Sequence, residues 1–115
     1  MGKITNNKIN QVKKYIDENV TEDLSLTFIS EKFEINKYYL CHLFKAYTGY
    51  SLLQYIKNKR LFLAQNYCES GISLLDAAMK AGFKNYSSFY KACRSEFGEA
   101  PSKISEMTGA RNKQA

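Results

Sequence analysis

The sequence predicts an all-α chain of about seven helices, in which two helix-turn-helix units are joined by one long helix. Three observations carry this. Apolar residues recur at three- and four-residue spacing along most of the chain, with no period-two alternation bounded by hairpin turns. Ser or Asn precedes several of these apolar runs and Gly follows several, which is the punctuation of helix ends. The chain also matches itself at a displacement of 48 to 49 residues.

Taken in order, Ile9, Val12, Tyr15 and Ile16 space an amphipathic helix that ends near Asn19. Ser25 caps a short second helix with Leu26, Ile29 and Phe33 inward, and Glu34-Ile35 makes a brief turn. Asn36 caps a third helix expected to bury Tyr39, Leu40, Leu43, Phe44 and Tyr47 before Gly49 stops it. Ser51-Leu52-Leu53-Gln54 reads as a capping box, in which the hydroxyl and the amide satisfy each other's free backbone donors. The periodicity of Leu52, Tyr55, Ile56, Leu61, Ala64, Tyr67 and Cys68 then sustains a long fourth helix to Glu69, stopped by Gly71. A fifth helix runs from Ser73 to about Ala81. Asn85 caps a sixth, which buries Phe89, Ala92, Cys93 and Phe97 and ends at Gly98. Pro101 suits the first turn of a last helix with Ile104 as its inward anchor, and the polar tail from Thr108 to Ala115 is expected to fray.

Displaced by 48, Leu26 falls on Leu74, Ile29 on Ala77, Ser30 on Ala78 and Phe33 on Ala81. With one extra residue in the second turn, Asn36 falls on Asn85, Leu40 on Phe89, Phe44 on Cys93, Lys45 on Arg94 and Gly49 on Gly98. Each copy is a short helix, a tight turn and a capped helix, the helix-turn-helix pattern. The expected organisation is a first subdomain over 1–50, a linking helix over 51–70, a second subdomain over 71–107 and a tail over 108–115. Twenty linking residues, at about 1.5 Å each, span roughly 30 Å. That is close to the ~34 Å between successive major-groove faces of B-DNA, so one chain is expected to place Lys37 to Thr48 and Tyr86 to Phe97 in adjacent grooves without dimerising.

Composition agrees with a single globular domain. The 115 residues are 44% hydrophobic and 24% charged, with 17 Lys and Arg against 11 Asp and Glu for a net charge of +6. The charge is segregated. Asp17, Glu18, Glu22, Asp23, Glu31 and Glu34 all precede Ile35, whereas Ile35 to Cys68 holds Lys37, Lys45, Lys57, Lys59 and Arg60 and no acid. One side of the molecule should be positive and suited to a polyanion. No apolar run has the roughly 18 residues of a membrane span, and the N-terminus lacks the apolar core of a secretory signal, so a cytoplasmic location is expected. Cys41, Cys68 and Cys93 are odd in number and far apart, which fits reduced thiols better than disulfides, and no Cys/His spacing forms a zinc site. Nucleophile and base pairs, paired carboxylates and phosphate-cradling loops are lacking, so neither an enzyme nor a cofactor is expected. A helical adaptor that binds only proteins is the remaining alternative.

Three strings carry a family resemblance. They are Tyr39-Leu40-Cys41-His42-Leu43-Phe44-Lys45 followed by Gly49, then Tyr55 with Arg60-Leu61 and Ala64, then Gly82-Phe83-Lys84-Asn85-Tyr86-Ser87-Ser88-Phe89 leading through Phe97-Gly98 to Pro101. Over roughly Leu24 to Ile104 the chain resembles the two-motif, homeodomain-like DNA-binding domain of AraC/XylS-type bacterial transcription regulators. The resemblance implies double-stranded operator DNA as ligand and often RNA polymerase as a second partner. His42 stands where the family often has Arg, Cys41 where it often has Ser, and Cys93 where it has Phe. Ala77 and Ala81 replace larger aliphatics, and Ala100 replaces the usual Ser before Pro101. Cys93, Ala77 and Ala81 predict a less filled second core, and Ala100 predicts a last helix without a side-chain cap.

A recognition helix reads bases from the outer face near its N-terminus. The base-contact candidates are Lys37, Tyr38, Cys41 and His42 in the first copy, positions that also match the family's, and Tyr86, Ser87 and Lys91 in the second. Tyr38 suits thymine methyls, and Lys37 or His42 suits guanine O6 and N7. Cys41 reads as a small spacer, and His42, the lone histidine, lacks partners for catalysis or metal binding. Lys45, Lys57, Lys59, Tyr90 and Arg94 are the phosphate candidates, with Tyr90 open to a rival reading as a packing residue. Arg60 resembles a family position that braces the two halves. Tyr39, Phe44, Tyr47, Phe83, Phe89 and Phe97 sit at core spacing and are read as packing. The stretch from Asn6 to Val20 reads as the start of this domain, and the chain is expected to be a fragment of a larger, signal-responsive regulator.

Overall fold

The computed structural model describes the backbone of residues 2–101 and the side chains of residues 7–101. Six helices lie in that span: α1 (Gly2–Glu18), α2 (Leu26–Lys32), α3 (Lys37–Thr48), α4 (Leu52–Glu69), α5 (Leu74–Lys80) and α6 (Tyr86–Phe97). No strand occurs among the described residues. The expected last helix beyond Pro101, its anchor Ile104 and the tail 108–115 lie outside the described residues.

Helix ends are fixed by the side chains that sequence spacing singled out. Ser25 Oγ accepts from Phe28 N, and Ser73 Oγ accepts from Asp76 N, so each satisfies one free donor at its helix start. At α4 the Ser51 hydroxyl accepts from Gln54 N at 3.1 Å while Ser51 N donates to Gln54 Oε1 at 3.3 Å, the reciprocal pair of a capping box.

The repeat extends to the backbone of the turns. After α2, Glu34 N donates to Glu31 O at 3.3 Å and Ile35 N to Ser30 O at 2.9 Å. After α5, Gly82 N donates to Met79 O at 3.1 Å and Phe83 N to Ala78 O at 3.2 Å, the same two bonds 48 residues on. Both are Schellman closures, which need a left-handed residue just past the helix. That residue is Gly82 at φ 105° in the second copy but Glu34 at φ 53° in the first, where a Cβ makes the conformation costly. Because the two turns agree through Phe83, the extra residue of the second turn is Lys84.

Two compact units emerge, Met1–Ile56 and Lys57–Ala115, so their boundary falls within α4. In the first, α1 and α2 both pack on α3. Its core is Ile9, Val12, Ile16, Leu24, Ile29, Leu40, Phe44, Leu52 and Ile56. Lys8 Nζ donates to Phe33 O at 2.6 Å, which satisfies a carbonyl at the end of α2. In the second, α5 packs on α6, and the core is Leu61, Ala64, Ala77, Ala78, Ala81, Phe83, Phe89, Ala92 and Cys93. The latter part of α4 supplies Leu61 and Ala64 to this core as α1 supplies Ile9 and Val12 to the first, at a displacement of 52. Even a surface contact recurs. Lys32 Nζ lies 4.8 Å from the Tyr15 ring centre, and Lys80 Nζ lies 6.0 Å from that of Tyr67. Each unit is thus a three-helix bundle, and one continuous helix ends the first and begins the second.

Three expected core aromatics are corrected. Tyr39 is 52% exposed, Tyr47 49% and Phe97 46%. Leu40 and Phe44, both fully buried, define the inward direction of α3, and Tyr39 projects about 100° away from Leu40 because successive helical residues turn by that angle. Tyr47 and Phe97 lie in the last turns of their helices, at the margin of each core.

Replacing Glu34 by Gly removes the left-handed strain at the first turn while adding some freedom to the unfolded chain. Glu34→Gly is expected to raise stability by about 0.5–1 kcal/mol, read as a higher urea midpoint with an unchanged slope. A lower midpoint would show that the Glu34 backbone is not strained.

Candidate nucleic-acid interface

The face of α3 is set by its start and by its buried side. Asn36 Oδ1 accepts from Tyr38 N at 2.9 Å and from Tyr39 N at 3.3 Å, which fixes the first turn. With Leu40 and Phe44 held inward, Lys37, Tyr38, Cys41, His42 and Lys45 all emerge exposed, Tyr38 at 88%. All five candidates of the first copy therefore share one solvent-facing surface, with a cation in the first turn and another in the last.

On α6 the start is again an Asn, with Asn85 Oδ1 accepting from Ser88 N at 2.8 Å. Phe89, Ala92 and Cys93 face inward. Ser87, Lys91 and Arg94 are exposed, and Tyr90 is 43% exposed, so its ring is shared between packing and solvent. Tyr86 departs from the pattern. It is half-buried, its ring lies 5.7 Å from that of Phe89, and it packs against the second core. Burial raises its hydroxyl pKa, with smaller contributions from Cys93, Tyr90 and Cys68. Its equivalent in α3, Lys37, is exposed, so the two faces differ at their first position.

The candidates on α4 divide. Lys59 is exposed, but Lys57 is half-buried, and its Nζ lies 3.5 Å from Glu96 Oε1. With the Asn58 amide turned so that its nitrogen faces the same carboxylate, it donates to both Glu96 oxygens at 3.3 and 3.2 Å. Lys57 is therefore partly engaged within the second unit. Arg60 is half-buried. Tyr39 is the residue that sequence reasoning left off the α3 face. Its position 300° along the helix from His42, equivalent to 60° back, was the available signal.

All three cysteines are free thiols, and the described residues contain no cluster of three or more His, Cys, Asp or Glu able to hold a metal ion. Cys41 is exposed on the α3 face, whereas Cys93 is buried. Burial, and then the field of Cys68, push the Cys93 thiol up to about 11, and burial raises Cys68 as well.

A helix-turn-helix domain family model matches residues 29–107 of this chain. The multiple antibiotic resistance protein MarA of Salmonella typhimurium is 32% identical over 104 residues, which cover 88% of this chain and 82% of that protein. The crystal structure of a probable AraC family transcriptional regulator from Rhodopseudomonas palustris is 28% identical, with a TM-score of 0.74, and covers 89% of this chain and 97% of that one. The chain belongs to the AraC/XylS-type helix-turn-helix family. A further structure, the DNA-binding domain of the global transcriptional factor AdpA in complex with a target DNA, shares the fold at a TM-score of 0.83. Its identity is 20%, and the match covers 93% of this chain and 97% of that one. As an AraC/XylS-type domain, the chain carries its two motifs on α2–α3 and α5–α6, where the repeat located them.

At pH 8, thiol reagents are expected to label Cys41 fast and Cys93 only after unfolding. Because the folded pKa of Cys93 is raised to about 11 while an unfolded thiol titrates near 8.5, its contribution to stability is present below about pH 8.5 and is lost as pH rises to 11. Unfolding free energy measured against pH should therefore fall across that window, and less so in Cys93→Ala.

Proposed function

We propose that this chain is a sequence-specific, double-stranded DNA-binding regulator of transcription that reads bases with the outward faces of α3 and α6. The observation that carries the reading is the α3 face. Lys37, Tyr38, Cys41 and His42 emerge together next to the helix start, where a recognition helix meets base edges, and Lys45 lies two turns on. Tyr38 contacts a thymine methyl, Lys37 and His42 donate to purine acceptors, and Cys41 leaves room for a base pair. On α6, Ser87 and Lys91 take the same roles, and Tyr86 adds only the exposed edge of its ring. Lys45, Arg94, Lys59 and Tyr90 bind phosphates, with Lys57 joining them when it leaves Glu96. AdpA's domain, bound to a target DNA in its own structure, supports the reading.

Two recognition helices in successive grooves fit the length of α4, whose 18 residues span about 27 Å. RNA polymerase is proposed as the second partner, the domain as a monomer on its DNA, and the cytoplasm as its place. No described helix is long and apolar enough to cross a membrane. The role is regulatory, with no enzymatic step.

Electrophoretic shifts at several salt concentrations, on a duplex selected by the protein from a random library and on an unselected duplex, test the proposal. Affinity should fall steeply with salt. Lys45→Ala should weaken both duplexes about equally and reduce the salt slope by roughly one, whereas His42→Ala should return a different preferred site on reselection. Salt-independent behaviour with no shift would favour a protein-binding adaptor. An unchanged preferred site for His42→Ala would remove that residue from base reading.

A further inference from the structure

The outward surface of α3 is wider than its candidate residues. Viewed down the axis at about 100° per residue, His42 and Tyr38 lie near the centre, with Lys45, Cys41 and Lys37 successively further round one side. On the other side stand Ala46, Tyr39 and Tyr47, about 40°, 60° and 140° from His42, with Tyr47 as far round as Lys37 is on its own side. All three are exposed, Tyr39 at 52% and Tyr47 at 49%. A helix seated in a major groove about 12 Å wide has a sugar-phosphate wall on each flank, so both sides of the helix meet phosphates. One flank of α3 carries the phosphate candidate Lys45, with the base candidates Cys41 and Lys37 beyond it. Ala46 offers the other flank no polar atom and Tyr47 lies in the last turn at the margin of the core, which leaves Tyr39 as the flank's donor nearest the helix start.

Three features suit Tyr39 to that contact. It sits in the first turn, the end of a recognition helix that meets the duplex. Its backbone N–H is already held by Asn36, which anchors the residue without engaging the ring. The residue is 52% exposed, and the hydroxyl makes no hydrogen bond among the described residues. The equivalent residue of α6 is Ser88, exposed but far shorter.

We propose that Tyr39 is a further DNA-contact residue, whose hydroxyl donates to a backbone phosphate on the flank of α3 opposite Lys37 and Lys45. This rests on the DNA-binding reading above and adds a contact to it. The contact positions α3 in the groove and carries no base information itself. It is specific to the first motif, since Ser88 is too short to span the same gap.

Affinities of the wild-type chain, Tyr39→Phe and Ser88→Ala are compared on the selected and the unselected duplex across a salt series. Tyr39→Phe should weaken both duplexes by a similar factor of about five, the effect of one neutral hydrogen bond. The salt slope should stay unchanged, because a neutral donor displaces no counterion. Its urea midpoint should match the wild type, as the hydroxyl is exposed, and Ser88→Ala should bind like the wild type. Wild-type affinity for Tyr39→Phe would overturn the inference, as would a loss confined to the selected duplex. No binding by the wild type would instead sink the DNA-binding reading itself, before any variant is compared.

Discussion

The rotation of the second helix in each unit about its own axis is the constraint on which the interface depends. A helix turns about 100° per residue, so a start displaced by one position would carry Tyr38 and His42 off the exposed face and bring Leu40 towards water. Two independent devices prevent this. An Asn side chain accepts from the first turn at Asn36 and again at Asn85, worth about 1 kcal/mol each. A fully buried pair, Leu40 and Phe44, holds the other side of α3, each contributing roughly 1.5–3 kcal/mol on burial. Neither device uses an outward residue. The reading face is therefore free to differ between copies while the fold stays the same.

Packing nonetheless reaches the face in the second unit. Where the first core has Ile29, Phe33 and Phe44, the second has Ala77, Ala81 and Cys93, and each lost methylene forfeits about 0.8 kcal/mol of burial. Aromatics from the turn and from α6 pack against these small residues. Phe83 and Phe89 have ring centres 5.4 Å apart, and Tyr86 closes on Phe89 at 5.7 Å. Tyr86 is half-buried against a core built largely from alanines, so the first position of the α6 face is only partly open to solvent. The first unit, with aliphatics enough of its own, leaves Lys37 in solvent. The unequal outward faces of α3 and α6 thus follow from unequal cores.

Much of this was legible in the sequence because caps and periodicity are local. Ser25, Asn36, Ser51, Ser73 and Asn85 each act at the helix start that spacing assigned them. What sequence did not yield is direction within an apolar run. Tyr39-Leu40 and Phe44 with Tyr47 all sit at helical spacing, and only the tertiary partners decide which of them the core takes. Tyrosine is ambiguous at such margins, since its ring favours burial and its hydroxyl favours water. The three-helix repeat was also hidden. Its first helix in the second copy is the end of α4, with no break in the chain to announce it, and Ala64 in place of Val12 weakens the match. The left-handed turn at Glu34 gave no signal either, because only its Gly82 counterpart carries the residue that the conformation favours.

The cations follow the same economy of placement. Lys45 and Arg94 occupy the last turns of α3 and α6, where the negative end of the helix dipole favours positive charge whether or not a phosphate is near. They are stable in solvent, exposed and held at their helix ends without a partner cation or anion being required. Lys57 stands differently. Its pair with Glu96 is partly exposed, and pairs of that kind contribute about 0–1 kcal/mol. The Asn58 amide remains to satisfy the carboxylate when the lysine leaves. A contact that weak is easily exchanged for another anion, so Lys57 supports the second unit in the free protein and keeps its charge available.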